Sequence, residues 1–300
     1  MTRGKAARTY ILAGQSVSAL PLAGGLYLVA TPIGNLRDIT LRALETLAAA
    51  DVVACEDTRV SRKLLEHYGI GTSLIPYHDH NAETARPKIL QRLGAGEAVA
   101  LISDAGTPLI SDPGFKLARA AREAGHTVTA IPGASSVLAA LTVSGLPSDR
   151  FLFEGFLPAK AAQRRARIAE LAAIPATLIL FESGVRVADA LRDLAEGLGA
   201  RPAAICRELT KLHEEVATGT LDALAGRGES LETRGEFVLV VAPAAPGVAG
   251  DPEIDDLLRQ AFARVSVKDA VAEIALATGR SRRDVYARAL AIVDRGDGPR

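Results

Sequence analysis

Short apolar runs alternate, along most of the chain, with segments whose apolar residues recur every three or four positions. Runs of about five apolar residues bounded by turn formers suit buried strands, whereas the longer period suits helices with one face inward. This pattern predicts strands at 26–30, 51–55, 73–76, 98–103 and 127–131. Helices at 40–50, 59–68, 81–93, 114–124 and 135–144 separate and follow them. The first carries Leu41, Leu44, Leu47 and Ala48 on one stripe, and Gly69 stops the second. Such alternation argues for a mostly parallel sheet with helices on both faces.

Turn formers cluster at Gly145-Leu146-Pro147-Ser148-Asp149, which marks a junction. Beyond it the pattern predicts strands at 151–155, 177–182, 203–208, 215–221 and 237–241, with helices at 160–173, 185–198 and 221–225. Proline, alanine and glycine dominate 242–250, the composition of a linker. In the last piece, 267–277 is apolar at helical spacing, Gly279 fits a stop, and Ser281 fits the cap of a new helix. Two helices around a glycine turn, the second opened by arginines, fit either a helix-turn-helix or an ordinary helical hairpin packed on the body; the second is the commoner case. The expected organisation is a disordered extension over 1–23, α/β domains over 24–147 and 148–243, a linker over 244–252 and a small helical domain over 253–300.

Composition changes this picture little. Lysine plus arginine balance aspartate plus glutamate at 35 each, so an anionic partner must be met by a local patch. Lys160, Arg164, Arg165 and Arg167 form one such patch, and Arg280, Arg282 and Arg283 another; each is either a grip on phosphate or a solvated face. Cys55 and Cys206 have no metal-ligand spacing and lie in apolar runs, so neither zinc nor a disulfide framework is expected. No apolar run is long enough to span a bilayer. The basic N-terminal segment resembles a weak targeting signal, but Gly14, Gln15, Ser16 and Ser18 interrupt it, which favours a disordered extension and a cytoplasmic protein.

In an open α/β sheet, ligands bind beyond the carboxyl ends of the strands. Four strands end in Thr31-Pro32-Ile33-Gly34-Asn35, in Glu56-Asp57-Thr58-Arg59, in Ser103-Asp104-Ala105-Gly106-Thr107-Pro108 followed by Leu109-Ile110-Ser111-Asp112-Pro113-Gly114, and in Pro132-Gly133-Ala134-Ser135-Ser136. The Gly-x-Gly-x-x-Gly dinucleotide fingerprint, the P-loop, the nucleophile elbow and the His-Glu-x-x-His zinc motif are all missing. A site built on these loops therefore reads its ligand through backbone amides and a few carboxylates. Asp104 is either a ligand contact or a turn and cap former, and spacing leaves the two open. Ser135 and Ser136, at a helix start, suit a carboxylate.

These loops, together with His78-Asp79-His80-Asn81, Gly145 to Phe151, Glu154-Gly155-Phe156-Leu157-Pro158 and Arg207-Glu208-Leu209-Thr210-Lys211, resemble the tetrapyrrole-methylase superfamily, in its branch of small-subunit (16S) ribosomal RNA cytidine 2′-O-methyltransferases. The likeness covers residues 24–243 in register. It implies two α/β domains with S-adenosyl-L-methionine in the cleft between them, a homodimer, and small-subunit ribosomal RNA, within the ribosomal subunit, as partner. By position it implies that Pro32 lines the cleft floor and that Ser103, Asp104, Ala105, Gly106 and Thr107 meet the methionine part, beside Ser135 and Ser136. Phe181, Glu182, Leu209 and Thr210 would close over the adenosine. Asp57, Arg59, Asp79, His80, Lys160 and Lys211 are candidates to face the substrate. A 2′-hydroxyl is a poor nucleophile that a general base would help, and Asp57, Asp79, His80, Glu208 and Lys211 are all candidates for that base. A methyltransferase acting on a small tetrapyrrole precursor, or a non-catalytic RNA- or ribosome-binding protein, are the alternatives.

Overall fold

A computed structural model describes residues 8–227, 232–244 and 251–293. Strands β1 (Thr9–Leu12) and β2 (Gln15–Ser18) form an antiparallel hairpin, where the sequence predicts a disordered extension. The hairpin stands because Tyr10 is buried against the first domain's core and the Ile11 amide donates to the Tyr68 carbonyl at 2.7 Å. That expectation is therefore corrected for residues 8–23; residues 1–7 lie outside the described residues.

The first domain alternates β3 (Gly25–Val29), α1 (Leu41–Ala49), β4 (Val52–Cys55), α2 (Thr58–His67), β5 (Leu74–Pro76), α3 (Ala82–Gly94), β6 (Ala98–Ile102), α4 (Phe115–Glu123), β7 (Val128–Ile131) and α5 (Ser136–Ser144). The sheet runs β5-β4-β6-β3-β7 and every pairing is parallel. Side chains alternate across it. Val53 and Cys55 meet α1 and α2 on one face, while Val52 and Ala54 join the cluster of α3 and α4 on the other. Burial on both faces is why β4 and β6 read as unbroken apolar runs.

The second domain contains β8 (Phe151–Phe156), α6 (Ala161–Leu171), β9 (Thr177–Ser183), α7 (Gly184–Leu198), β10 (Pro202–Arg207), β11 (Glu215–Thr220), α8 (Leu221–Ala225) and β12 (Glu236–Val241). Its sheet runs β11-β10-β12-β9-β8 and is mixed, because β12 lies antiparallel between β10 and β9. Helices α6, α7 and α8 cover one face. The other face is covered by α5 of the first domain, whose Val137, Ala140 and Leu141 pack on Ile179, Ala204, Val238 and Val240. Side chains of that size stabilise by about 1.5–3 kcal/mol each when fully buried, so the two domains share a continuous apolar seam.

Helices α9 (Asp251–Phe262), α10 (Val267–Thr278) and α11 (Arg282–Ile292) end the described chain. Ile254, Leu258 and Phe262 of α9 complete the core of α10 and α11, so the glycine-turn pair packs on a third helix. Ser281 caps α11 through the Asp284 amide, as its spacing suggests. Most of the expected linker, residues 245–250, lies outside the described residues. No helix among the described residues is long and apolar enough to cross a membrane.

Candidate functional site

Parallel strands deliver their following loops to one sheet edge, and here hydrogen bonds stitch those loops together. Thr31 and Gly106 exchange backbone hydrogen bonds of 2.9 and 3.1 Å. The Thr31 hydroxyl donates to the Ser103 carbonyl at 3.2 Å, and the Thr107 hydroxyl donates to Ala134 at 3.1 Å. Asp104 Oδ1 accepts the Asp57 amide at 3.0 Å, so Asp104 ties the β6 loop to the start of α2 and does not cap its own turn. From the opposite side, Lys211 lies against Gly34, where a Cβ would come within 2.4 Å of its Cγ.

Between the domains these loops enclose a cavity of about 460 Å³. Asp104, Ala105, Gly106, Thr107, Ser135 and Ser136 line it from the first domain, and Phe181, Glu182 and Leu209 from the second. Pro32 is buried behind it, and the next residue, Ile33, supplies the surface instead. Ser103 is likewise buried, its hydroxyl turned to the Ala105 and Gly106 carbonyls at 3.2 and 3.3 Å. Thr210 lies outside the lining, its amide held by Glu214 at 2.5 Å. Residues not named as site candidates from the sequence complete the walls, among them Asp112, Phe156 and Gly235, although Asp112 and Phe156 lie in segments that the sequence marks. Phe156 and Phe153 both meet Phe181 edge-on, with ring centres 5.7 and 4.8 Å away. Gly235, at φ 107°, leaves room for Glu208, which a Cβ would meet at 2.6 Å. Asp112 stands well beyond Ile102, the end of its strand, although its setting in Ser111-Asp112-Pro113-Gly114 is a turn signal.

Backbone strain gathers at the same place. Leu109, Ser111, Glu208 and Thr210 all have positive φ, between 49° and 75°. Non-glycine residues in that region cost about 1–2 kcal/mol each and persist where surrounding structure imposes them.

A second groove of about 460 Å³ shares Asp104 as a wall and is lined by Glu56, Asp57, Arg59, His78 and His80. Asp57 caps α2 and is clamped by Arg59, whose Nη2 lies 2.6 Å from Oδ2; these hydrogen bonds hold its carboxyl down to about 2. Further in, the trend reverses. Burial raises Asp112 to about 6, helped by the Glu56 and Asp104 charges and opposed by a Ser103 hydrogen bond. Burial, then Asp104 and Asp79, raise Glu56, and burial raises Asp104 despite the Asp57 amide. Cys206 faces the cavity, but burial pushes its thiol up to about 12, which removes it as a nucleophile.

The other sequence candidates fall elsewhere. Asp79 is exposed and lines neither cavity, and Lys160 stands exposed at the start of α6. Lys211 is held between Glu208 and Glu236 at 2.8 and 2.9 Å, which fixes it as a structural cation. Burial works to raise the Glu208 carboxyl, but hydrogen bonds from Lys211 and the Glu236 amide outweigh it and leave it lowered. The α6 arginines are all engaged in ion pairs, with Arg165 and Arg167 still partly exposed. Arg164 is buried on Asp193 at 2.6 Å, Arg165 shares that carboxylate, and Arg167 pairs with Glu154 and Glu170.

Comparison with known proteins accounts for this architecture. The family model of tetrapyrrole (corrin/porphyrin) methylases matches residues 25–225, and that of the RsmI C-terminal HTH domain matches 248–292. The ribosomal RNA small subunit methyltransferase I of Mesorhizobium japonicum is 54% identical over 96% of this chain and 100% of its own. The chain belongs to the tetrapyrrole methylases, in the ribosomal RNA small subunit methyltransferase I branch. The Xylella fastidiosa (strain Temecula1) protein of that name is 48% identical over 88% of this chain and 98% of its own. Among solved tetrapyrrole methylases, uroporphyrin-III C-methyltransferase from Thermus thermophilus, complexed with S-adenosylhomocysteine, shares the fold at a TM-score of 0.52. It is 22% identical and covers 73% of this chain and 97% of its own. The third domain, which spacing leaves open between two readings, carries the helix-turn-helix description.

Proposed function

We propose that this methyltransferase moves a methyl group from S-adenosyl-L-methionine to the ribose 2′-hydroxyl of a cytidine in small-subunit ribosomal RNA. The observation that carries the reading is the inter-domain cavity, in a chain whose relatives bear the name ribosomal RNA small subunit methyltransferase I. Its volume falls within the roughly 300–1,000 Å³ of small-molecule sites. Its donor set fits the cofactor. Asp104 gives negative potential suited to an ammonium, and the start of α5 at Ser135 and Ser136 offers amides to a carboxylate. Phe181, Phe156 and Leu209 supply apolar walls for a flat ring, with the buried Glu182 among the lining residues. When bound, the cofactor supplies an electrophilic methyl group on a positively charged sulfur. The chain's own residues hold donor and acceptor in line, and such positioning provides much of the acceleration.

The adjoining groove, which shares the Asp104 wall with the cavity, suits the RNA strand flanking the reacting nucleotide, since Arg59 and His80 offer donors to ribose and phosphate oxygens. Its polar walls disfavour a tetrapyrrole precursor, which requires a broad apolar surface. The inter-domain cavity, lined by polar loop residues at the strand ends, disfavours a purely binding role. The reading places the chain in the cytoplasm with the ribosomal subunit, and includes the homodimer that the family resemblance implies. Mass mapping of small-subunit rRNA from a strain lacking the gene tests it. One cytidine should lose a methyl group, and the adjacent linkage should become cleavable by alkali. Unchanged rRNA defeats the RNA assignment, and a methyl group lost from a base defeats the ribose assignment.

A further inference from the structure

We propose that the Asp112 carboxylate takes the proton from the acceptor hydroxyl, an inference that rests on the hydroxyl-methylation reading above. Apart from Glu56 and His78, which line only the adjoining groove, the other acidic and basic groups nearby are committed elsewhere or lie outside the cavity. Both oxygens of Asp57 engage Arg59, and Oδ1 also caps α2. Glu208 Oε1 accepts from Lys211 and from the Glu236 amide, and Lys211 is itself held as a cation by two carboxylates. Asp79 and His80 are exposed and do not line the inter-domain cavity. Asp104 spends Oδ1 on the Asp57 amide.

Asp112 differs on each count. It lines the cavity, forms no ion pair among the described residues, and is faced by the Glu56 and Asp104 carboxylates and the Ser103 hydroxyl. Asp104 is in turn faced by Asp57 and Arg59. Both domains hold its loop. Leu109 and Ser111 sit at φ 75° and 62°, and Gly155 of β8 approaches so closely that a Cβ there would lie 3.3 Å from Ser111 Oγ. The raised affinity of Asp112 for a proton follows from this setting and suits a general base, which works best with its pKa near the ambient pH. In the step, the acceptor O–H bond breaks and its proton passes to Asp112. The oxygen forms the new bond to the methyl carbon, while the pair of the broken carbon–sulfur bond stays on sulfur. Asp112 then releases the proton to water.

The test compares wild type with Asp112→Asn in the full chain on small-subunit rRNA, with S-adenosylhomocysteine affinity measured by calorimetry. The variant should bind S-adenosylhomocysteine within about twofold of wild type. Its single-turnover methyl transfer should fall about 100- to 10,000-fold, the usual worth of a general base, and lose the acidic limb of the pH profile. Carbon-detected NMR of the cofactor-free wild type should show an aspartate titrating at about 6 that disappears in the variant. A variant that keeps the rate and the acidic limb overturns the inference alone. So does a rate restored by saturating cofactor, or an Asp112 that titrates in the ordinary aspartate range. A wild-type chain that methylates no rRNA overturns the substrate reading and this inference with it.

Discussion

Asp57 and Asp112 stand at one sheet edge and hold their protons at opposite ends of the aspartate range, about 2 and about 6. The difference is one of neighbours: Arg59 clamps the first, while burial and two carboxylates surround the second. Linkage turns the second shift into a stability cost. The Asp112 carboxyl is raised above its unfolded value, so its contribution to stability is complete below about pH 4 and is lost as pH rises through about 6. Two pKa units would correspond to about 3 kcal/mol, and partial solvation reduces this to about 1–2 kcal/mol. Asp112→Asn is therefore expected to be more stable than wild type by about that amount at pH 8, with the advantage gone at pH 4. Urea unfolding at the two pH values checks it, and an advantage independent of pH would count against the assignment. At this scale the sequence was half legible. Asp104 directly follows a strand and is visible from spacing. Asp112 matters only because its loop returns to the cavity to meet Glu56 from another strand, which no local pattern records.

The β1–β2 hairpin shows the same limit for elements. Its strands have four residues each, Gln15, Ser16 and Ser18 are polar and exposed, and its turn is Ala13-Gly14 at φ 49° and 80°, in place of the Asn-Gly that usually announces such turns. Yet it closes the end of α1. Arg8 donates to the Ala49 carbonyl at 2.6 Å and to that of Ala50, and pairs with Asp51 at 3.1 Å. Those carbonyls have no partner within the helix, and a cation there also opposes the negative end of its dipole. Burial of Tyr10 adds about 1.5–3 kcal/mol. Deleting residues 8–19 should therefore lower unfolding free energy by about 2–4 kcal/mol in urea. Affinity for S-adenosylhomocysteine should change less than threefold, since no hairpin residue lines the cavity. A large loss of affinity with stability intact would refute this division of labour. Helix α6 is the converse case: its existence was legible, but the partner of Arg164 lies 29 residues away on α7.

For the whole molecule, strand–helix alternation was enough to predict the parallel first sheet. The mixed second sheet was not predictable, since β10 and β12 are equally buried and only non-local pairing makes them antiparallel. The same pairing places α5 on the second sheet, which joins the domains around the cavity. Non-local pairing also decides where RNA is met. The chain has no net charge and the α6 arginines are engaged in ion pairs, so cations without such a pair are the better candidates to meet phosphate. Arg282 and Arg283 open α11, are exposed and form no ion pair among the described residues, and Tyr286, 48% exposed, follows one turn later. Two cations at a helix start with an aromatic ring beside them suit phosphate and a stacked base. The three-helix core is self-contained and neither arginine lines the cavity, so changes at these exposed positions should leave folding and the cavity intact. Arg282→Glu with Arg283→Glu is expected to weaken rRNA binding about tenfold or more and to reduce the slope of log affinity against log salt by roughly 1.4–1.8. Cofactor affinity should be unchanged. Arg164→Glu, by contrast, should destabilise the fold by about 3–5 kcal/mol, because it leaves Asp193 buried facing a like charge. Salt titrations of rRNA binding distinguish the two clusters: an unaltered slope in the α11 double variant would remove that helix from the RNA interface.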